Sequence, residues 1–143
     1  SWRRAREGEV SLMAGTVPED LKYTKDHEWV RQRQNVVEVG ITDHAQRQLG
    51  DVVFVELPAV GAHFEANEPF GSVESVKAVS EVYTPVTGDV IKVNEGLSES
   101  PESLNDDPYG EGWLIEIRMA DASQATGLLT PAEYTDYIQE EDS

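Results

Sequence analysis

The sequence predicts a mainly β protein in which short strands form a barrel or a sandwich. Short runs rich in Val and Ile alternate with turns that contain Gly, Pro, Asn and Asp, a pattern typical of short antiparallel strands. Strands do not alternate with helices as they do in a parallel α/β sheet. Residues 50–55 also resemble residues 88–93. This repeat predicts two similar β halves.

The first half begins with a predicted β-hairpin, whose strands at residues 27–31 and 36–39 enclose a polar turn. Thr42 is placed to cap a helix over residues 43–49, and Gly50 is placed to end it. Further strands are expected at residues 52–57, in the two arms around Lys77, and at 90–93 and 113–117, with a short turn-flanked element at 64–67.

The remaining segments are a polar stretch between the last two predicted strands and a predicted C-terminal helix. Residues 94–112 are rich in Ser, Pro, Gly and acidic residues, and we expect them to form a long surface loop. Thr130 and Glu133 have the spacing of a capping box, with Pro131 at the first helical position. A helix is therefore predicted from there to about Ile138.

The length of 143 residues suits one domain with its own core. We assign that domain to residues 13–143, because Met13 and the two residues after it read like a natural start. Residues 1–12 are then predicted to be a vector-derived tag. An Arg-rich transit peptide is the competing interpretation, but Glu7 and Glu9 count against it.

The formal net charge of −17 excludes a general nucleic-acid binder and disfavours an anionic membrane surface. The chain lacks cysteine, so its own residues supply neither disulfides nor thiolate chemistry. Residues 95–143 hold 13 acidic residues and a single basic one. This C-terminal third is expected to be attracted to basic surfaces on partners.

The most informative feature is Lys77, one of four lysines, at the centre of a symmetric stretch from Gly71 to Gly88. Two β-type arms flank the lysine, so a hairpin is predicted to display its amine at the tip. Alternation along the arm places Ser75 and Lys77 outward, with Val76 between them. A displayed amine suits covalent attachment of a swinging cofactor, although a solvated hairpin lysine gives the same pattern.

Four blocks of sequence carry a resemblance to a known family. They are residues 74–78 around Lys77, residues 26–30, residues 40–46 with 49–58, and residues 105–114. In their order along the chain they resemble the glycine cleavage system H protein family, across residues 18–140. The lysine block is shared with other lipoyl domains, whereas the other three are not. Val76 and Ala78 argue against biotin carriers, which place methionines beside their lysine.

The resemblance implies a barrel-sandwich hybrid fold with short helices and a C-terminal helix. It also implies that Lys77 carries lipoate in amide linkage and that the protein is a carrier, not an enzyme. The arm would carry the aminomethyl group of glycine from the pyridoxal-phosphate enzyme glycine decarboxylase to the aminomethyltransferase. Dihydrolipoamide dehydrogenase would then reoxidise the arm. Lipoate-attaching enzymes are further implied partners.

The resemblance also implies acidic contacts for the loaded arm, which carries a cationic amine. Glu28 is the first candidate, with Glu81 and Asp26 as weaker ones. An ordinary solvated strand residue is the alternative interpretation of Glu28. No residue is assigned a catalytic role.

Modifying enzymes must recognise the lysine, and Glu74 and Gly88 are plausible marks for them. Gly71 and Gly88 are more conservatively interpreted as turn positions that need unusual backbone angles. His27 is predicted to be a hydrogen-bonded structural residue. His44 and His63 lack the spacing of a ligand pair, so no metal is assigned.

Other functions remain open at this point. The chain could be a relay that donates lipoate to other lipoyl domains, or an interaction module whose lysine is never modified. A Schiff-base enzyme would need Lys77 in a desolvated pocket, which a hairpin tip does not offer. The expected state is a monomer, located in the bacterial cytoplasm or, in a eukaryote, in the mitochondrial matrix.

Overall fold

The computed structural model describes residues 16–142, which form two antiparallel sheets with short helices between and after the strands. The predicted tag, residues 1–12, lies outside the described residues, so that assignment stays a prediction. The strands are β1 Lys22–Tyr23, β2 Glu28–Arg33, β3 Val36–Ile41, β4 Val52–Glu56, β5 His63–Phe64, β6 Pro69–Ser75, β7 Val79–Tyr83, β8 Gly88–Val93 and β9 Ile115–Met119. The helices are α1 Asp43–Leu49, α2 Gly96–Glu99, α3 Ser103–Asp106 and α4 Pro131–Asp142, with a 3₁₀ helix at Ala122–Gly127.

The larger sheet has six strands in the order β1-β2-β3-β9-β8-β5, and the smaller has three in the order β4-β6-β7. All pairings between these strands are antiparallel. The two segments of the sequence repeat form β4 and β8, one in each sheet. The prediction of a mainly β fold with short helices is confirmed.

Two apolar clusters hold the chain together. The larger joins both sheets through buried aliphatic side chains, each of which stabilises the fold by about 1.5–3 kcal/mol. Its central members include Val30, Val39, Val55, Phe70, Val73, Val90, Ile115 and Ile117. The smaller cluster packs α4 against β1 and β2 and consists of Leu21, Tyr23, Trp29, Tyr134 and Ile138.

The two predicted helices are confirmed with the expected capping. The Thr42 hydroxyl accepts a hydrogen bond from the Ala45 amide at 3.2 Å, and α1 ends at Gly50, whose φ is +81°. At α4, the Thr130 amide donates to Glu133 and the Glu133 amide donates back to the Thr130 hydroxyl. The helix starts at Pro131 as predicted but continues to Asp142, beyond the expected end.

The prediction of a long surface loop over residues 94–112 is wrong. This stretch contains α2 and α3, each of which buries one leucine, Leu97 and Leu104, in the larger core cluster. A single apolar residue per turn gives no detectable helical period, so the polar composition dominated the interpretation. The 3₁₀ helix was likewise not expected.

The prediction that Gly71 and Gly88 adopt unusual backbone angles is also wrong. Both lie inside strands, whereas positive φ among the described glycines occurs at Gly50 and Gly61. A Cβ at Gly71 would lie 2.2 Å from the Glu56 carbonyl oxygen, and one at Gly88 would lie 2.1 Å from the corresponding oxygen of Arg118. Close backbone approach therefore explains both glycines. Within residues 16–142, no helix is long and apolar enough to span a membrane.

Candidate functional site

The predicted hairpin around Lys77 is confirmed. Strand β6 ends at Ser75 and β7 begins at Val79, so Lys77 occupies the turn between them with its side chain exposed. The neighbouring side chains of Val76 and Val79 are 71% and 65% exposed. Lys77 is therefore presented on an open tip with apolar neighbours rather than in a pocket.

The prediction that Ser75 points outward beside Lys77 is wrong, because its side chain is buried. The Ser75 hydroxyl accepts hydrogen bonds from the amides of Lys77 and Ala78, at 3.3 and 3.1 Å. The Ser75 amide in turn donates to the Ala78 carbonyl oxygen at 2.8 Å. This serine closes the turn and fixes the backbone that carries the lysine, as Ser side chains often do in turns.

A second contact holds the hairpin turn against the segment that connects α1 to β4. The Val76 amide donates to the Asp51 carbonyl oxygen at 3.0 Å. The aliphatic part of the Lys77 side chain passes Gly50, where an added Cβ would lie 3.4 Å from Cε of the lysine. The backbone of the turn is thus held while the Lys77 side chain stays exposed.

A groove of about 310 Å³ begins beside the lysine. One wall is the outer strand β7 with the preceding Ala78, and α1 contributes to the opposite wall. Ala78 and four residues of β7 line this wall, a run of about 15 Å in extended chain. Its lining is mixed, with Ile41, Ala45, Leu49, Val73, Ala78, Val79 and Val82 as apolar members and Asp26, His27, Glu28, Gln48, Ser80 and Glu81 as polar ones.

Glu28 lies at the far end of the groove and is only 2% exposed. Its carboxylate accepts a hydrogen bond from the Thr24 hydroxyl at 2.7 Å and another from the Tyr83 amide at 3.1 Å. The second bond joins the two sheets, since Glu28 belongs to β2 and Tyr83 to β7. Burial raises the pKa of the Glu28 carboxyl to about 7, although these two hydrogen bonds oppose the shift. The interpretation of Glu28 as an ordinary solvated residue is wrong.

A tight turn before β2 aims Glu28 into the groove. The Thr24 hydroxyl accepts hydrogen bonds from the amides of Asp26 and Glu28, both at 3.2 Å. Between them, His27 adopts a φ of +68°, a left-handed conformation that histidine tolerates better than most residues. Because of this turn, the side chain of His27 contacts the C-terminal helix, whereas that of Glu28 contacts β7.

The remaining predicted site residues fall into two groups. Asp26 and Glu81 line the groove and are exposed, so the structure brings them together with Glu28. Glu74 is exposed on β6 but does not line the groove. Gly88 is buried in β8 of the larger sheet, paired with Phe64 on one side and Met119 on the other. Its role in recognition stays a prediction, and any such role cannot involve a side chain.

The three histidines occupy different environments. His27 is hydrogen-bonded to the Tyr134 hydroxyl at 2.8 Å and to Glu141 at 3.1 Å, which confirms the structural role predicted for it. Burial lowers the pKa of His27 below its usual value. His44 is buried beside it in α1, whereas His63 is exposed on β5 between acidic side chains.

Sequence reasoning missed the residues that shape the site rather than those that carry its chemistry. Ser75 was assigned to the wrong face, and the roles of Thr24 and the Tyr83 amide were not foreseen. The one available signal was the threonine four residues before Glu28, since Thr commonly organises turns through its hydroxyl.

Fold and site together define a class of protein, a small β domain that displays one exposed lysine at the turn of a hairpin. Comparison with known proteins specifies that class. The family model of the glycine cleavage H-protein matches residues 21–141. The glycine cleavage system H protein of Rubrobacter xylanophilus is 56% identical over 126 residues, which cover 88% of this chain and 98% of that protein. The one from Herpetosiphon aurantiacus is 58% identical over 125 residues, covering 87% and 95%.

A solved structure agrees with these relatives. The crystal structure of a glycine cleavage system H protein from Mycobacterium marinum superposes with a TM-score of 0.79 at 39% sequence identity. It covers 87% of this chain and 99% of that chain. The present chain therefore belongs to the glycine cleavage H-protein family. Members of that family are carrier subunits of the glycine cleavage system and are not themselves catalytic.

Proposed function

We propose that Lys77 carries lipoate in amide linkage and that the arm shuttles the aminomethyl group of glycine. The partners would be glycine decarboxylase, the aminomethyltransferase and dihydrolipoamide dehydrogenase. The observation that carries the proposal is the position of Lys77, which is exposed at the turn of a hydrogen-bonded hairpin and immediately precedes Ala78, the first residue of that hairpin turn to line the groove.

The residues present fit such an arm. Apolar side chains of β7 and α1 line the groove beside the tip and suit a hydrocarbon chain, while carboxylates gather at its far end. When bound, lipoate supplies a disulfide that can be exchanged for a bond to the aminomethyl cargo. The chain itself supplies the fixed base at Ser75 and the path along β7.

Glu28 is suited to hold the cationic amine of the cargo. A buried carboxylate that already accepts two hydrogen bonds is fixed in position and faces little competing water. A cation nearby favours the ionised form, so its arrival would release the proton that burial helps Glu28 to retain. Asp26 and Glu81 add negative charge at the groove without being buried.

Enzymes that modify Lys77 would recognise the exposed side chains around the hairpin turn. Val76 and Val79 offer exposed apolar contacts on either side of the lysine, and Glu74 adds a charge three residues before it. Recognition by shape and a few side chains fits an attaching enzyme that must accept a folded hairpin. The strong negative charge of the C-terminal third would promote encounter with basic partner surfaces, with a rate that falls as salt rises.

The decisive experiment is intact mass spectrometry after incubation with a lipoate ligase, ATP and lipoic acid. We expect the mass of one lipoyl group on the wild type and on Lys92→Arg, and none on Lys77→Arg. Lys92 is a matched control because it lies on β8, where its ammonium faces the Trp113 ring. Modification that persists in Lys77→Arg, or none in any variant, would contradict the proposal and favour an interaction module.

The loaded protein then separates the two carrier roles. Supplied to the purified glycine cleavage enzymes, it should support release of CO₂ from glycine. If it only transfers its lipoyl group to other lipoyl domains, the relay function is correct instead. We further propose a monomer in the bacterial cytoplasm, which sedimentation and cell fractionation would test.

A further inference from the structure

Three potential ligand side chains meet beneath the C-terminal helix. His27 comes from the turn before β2, His44 from α1 and Glu141 from the last turn of α4. One ligand atom from each residue lies within 4.8 Å of the other two. Nε2 of His27 is 3.1 Å from Glu141 Oε1, and Nε2 of His44 is 4.0 Å from the same oxygen. Sequence spacing did not reveal this set, because its members are separated by most of the chain.

His44 gives independent evidence that the set is incomplete. Its side chain is 6% exposed, and its Nε2 has no hydrogen-bond partner. Leaving a buried polar atom unpaired costs about 1–3 kcal/mol, and such atoms are rare in folded proteins. A cation at the centre of the three residues would give this nitrogen a partner.

The surrounding hydrogen bonds resemble those that orient metal ligands. Nδ1 of His27 is 2.8 Å from the Tyr134 hydroxyl, which is 2.7 Å from the Thr42 hydroxyl. Each hydroxyl can donate or accept, so this pair can serve either tautomer of His27. With the Nδ1 proton donated to Tyr134, the lone pair of Nε2 faces the other two ligands. Outer hydrogen bonds of this kind usually fix the ring of a metal-binding histidine.

We propose that His27, His44 and Glu141 bind one divalent transition-metal ion of the Zn²⁺ type. Two imidazoles and one carboxylate are a common set for zinc, with a water molecule as the fourth ligand. Glu141 is 37% exposed, which leaves the ion a route from solvent. The ion would link the β2 turn, α1 and the C-terminal helix. This site does not depend on modification of Lys77.

The test uses the full chain, freed of metal with a chelator and titrated with Zn²⁺ in a calorimeter. We expect one ion per chain. Co²⁺ in its place should develop the visible absorption of a four-coordinate site with nitrogen and oxygen ligands. Bound metal should raise the melting temperature, because it binds the folded state in preference to the unfolded one.

Two ligand variants and two controls make the test specific. His27→Asn removes the imidazole but keeps a residue that tolerates positive φ. Glu141→Ala removes the carboxylate, and Glu140→Ala removes the same charge from the neighbouring position. His63→Asn removes an exposed histidine that lies between Glu65 and Asp89. Among the described residues, this is the other place where an imidazole contacts carboxylates.

We expect both ligand variants to lose affinity by more than about tenfold, since even outer-shell changes at metal sites cost that much. Without metal, Glu141→Ala should melt close to the wild type, whereas His27→Asn should melt about 4 °C lower because it loses the hydrogen bond to Tyr134. Both controls should bind as the wild type does. The proposal fails if the wild type binds no ion, if binding disappears in His63→Asn, or if Glu140→Ala and Glu141→Ala weaken it equally.

Discussion

The two ends of the groove are built in opposite ways. At the tip, Lys77 and its valine neighbours are exposed, and a few hydrogen bonds from Ser75 hold the backbone. At the far end, Glu28 is buried and each of its carboxylate oxygens has a partner on a different element. An enzyme can reach the first end, whereas water has little access to the second.

This contrast separates two tasks that one side chain could not perform. In the proposed function, the attachment point has to be reached by several enzymes, so it needs exposure and a firm backbone. The end at Glu28 would have to hold the cationic cargo without strong competition from water, so it needs burial and fixed geometry. Strand β7 connects the two ends and belongs to both.

The largest expected effect comes from breaking the buried end. Glu28→Ala leaves the Thr24 hydroxyl without an acceptor for its proton, leaves the Tyr83 amide without a partner and opens a cavity, so we expect a loss of about 3 kcal/mol of folding free energy at about pH 5. The matched change Glu81→Ala, on the exposed wall of the same groove, should alter stability by less than about 0.5 kcal/mol. Urea unfolding of both variants measures the difference. Equal losses would mean that Glu28 is not the structural centre of that end.

The next effect is a dependence of stability on pH. Because the folded state raises the pKa of Glu28 from 4.5 to about 7, folded protein holds this proton more tightly than unfolded protein does. Glu28 therefore favours folding most at low pH, and that contribution is lost as pH rises from about 4.5 to about 7. Between about pH 5 and pH 8 we expect a loss on the order of 2 kcal/mol relative to Glu28→Gln, which has no proton to lose.

Denaturant unfolding at several pH values, with wild type and Glu28→Gln side by side, isolates this group from all others that titrate. The folding free energy of Glu28→Gln should vary with pH as that of the wild type does, but without the decrease that ionisation of Glu28 causes. If the two curves stay parallel, the carboxyl is solvated in solution and the far end of the groove is open.

The smallest expected effect is at the tip. Ser75→Ala removes the hydroxyl that accepts from the Lys77 and Ala78 amides, at a cost of about 1 kcal/mol. We expect the rate of lipoyl attachment to fall several-fold, because the lysine loses its fixed base. Ser80→Ala is the matched control, since that serine is exposed and makes one long hydrogen bond, 3.4 Å to the Glu81 carbonyl oxygen. Hydrogen exchange at the Lys77 and Ala78 amides should rise only in the first variant.

Local signals predicted the hairpins and helices well. The caps at Thr42 and at Thr130 with Glu133 act over three residues, so sequence alone was sufficient to place both helix starts. The hairpin turn at Lys77 was also predictable, because the residues that indicate it lie next to one another in the sequence. In contrast, Leu97 and Leu104 gave no periodic signal, and their helices depend on burial against strands that are distant in sequence.

The site was only half predictable. Sequence identified Glu28 through family resemblance, but nothing local shows that Tyr83 would donate to it from the other sheet. Burial of Ser75 was missed because a hairpin turn interrupts the two-residue period on which the assignment of faces rests. The cluster of His27, His44 and Glu141 exists only once the C-terminal helix has docked.

Gly50 has a further consequence for the arm. It ends α1 with a φ of +81°, and a Cβ added there would come into van der Waals contact with the outer methylene groups of Lys77. The range of angles through which the proposed arm could leave the hairpin is therefore influenced by a residue outside the hairpin. A larger side chain there would narrow the cone that the arm sweeps, and so reduce the number of orientations in which the carrier can be received.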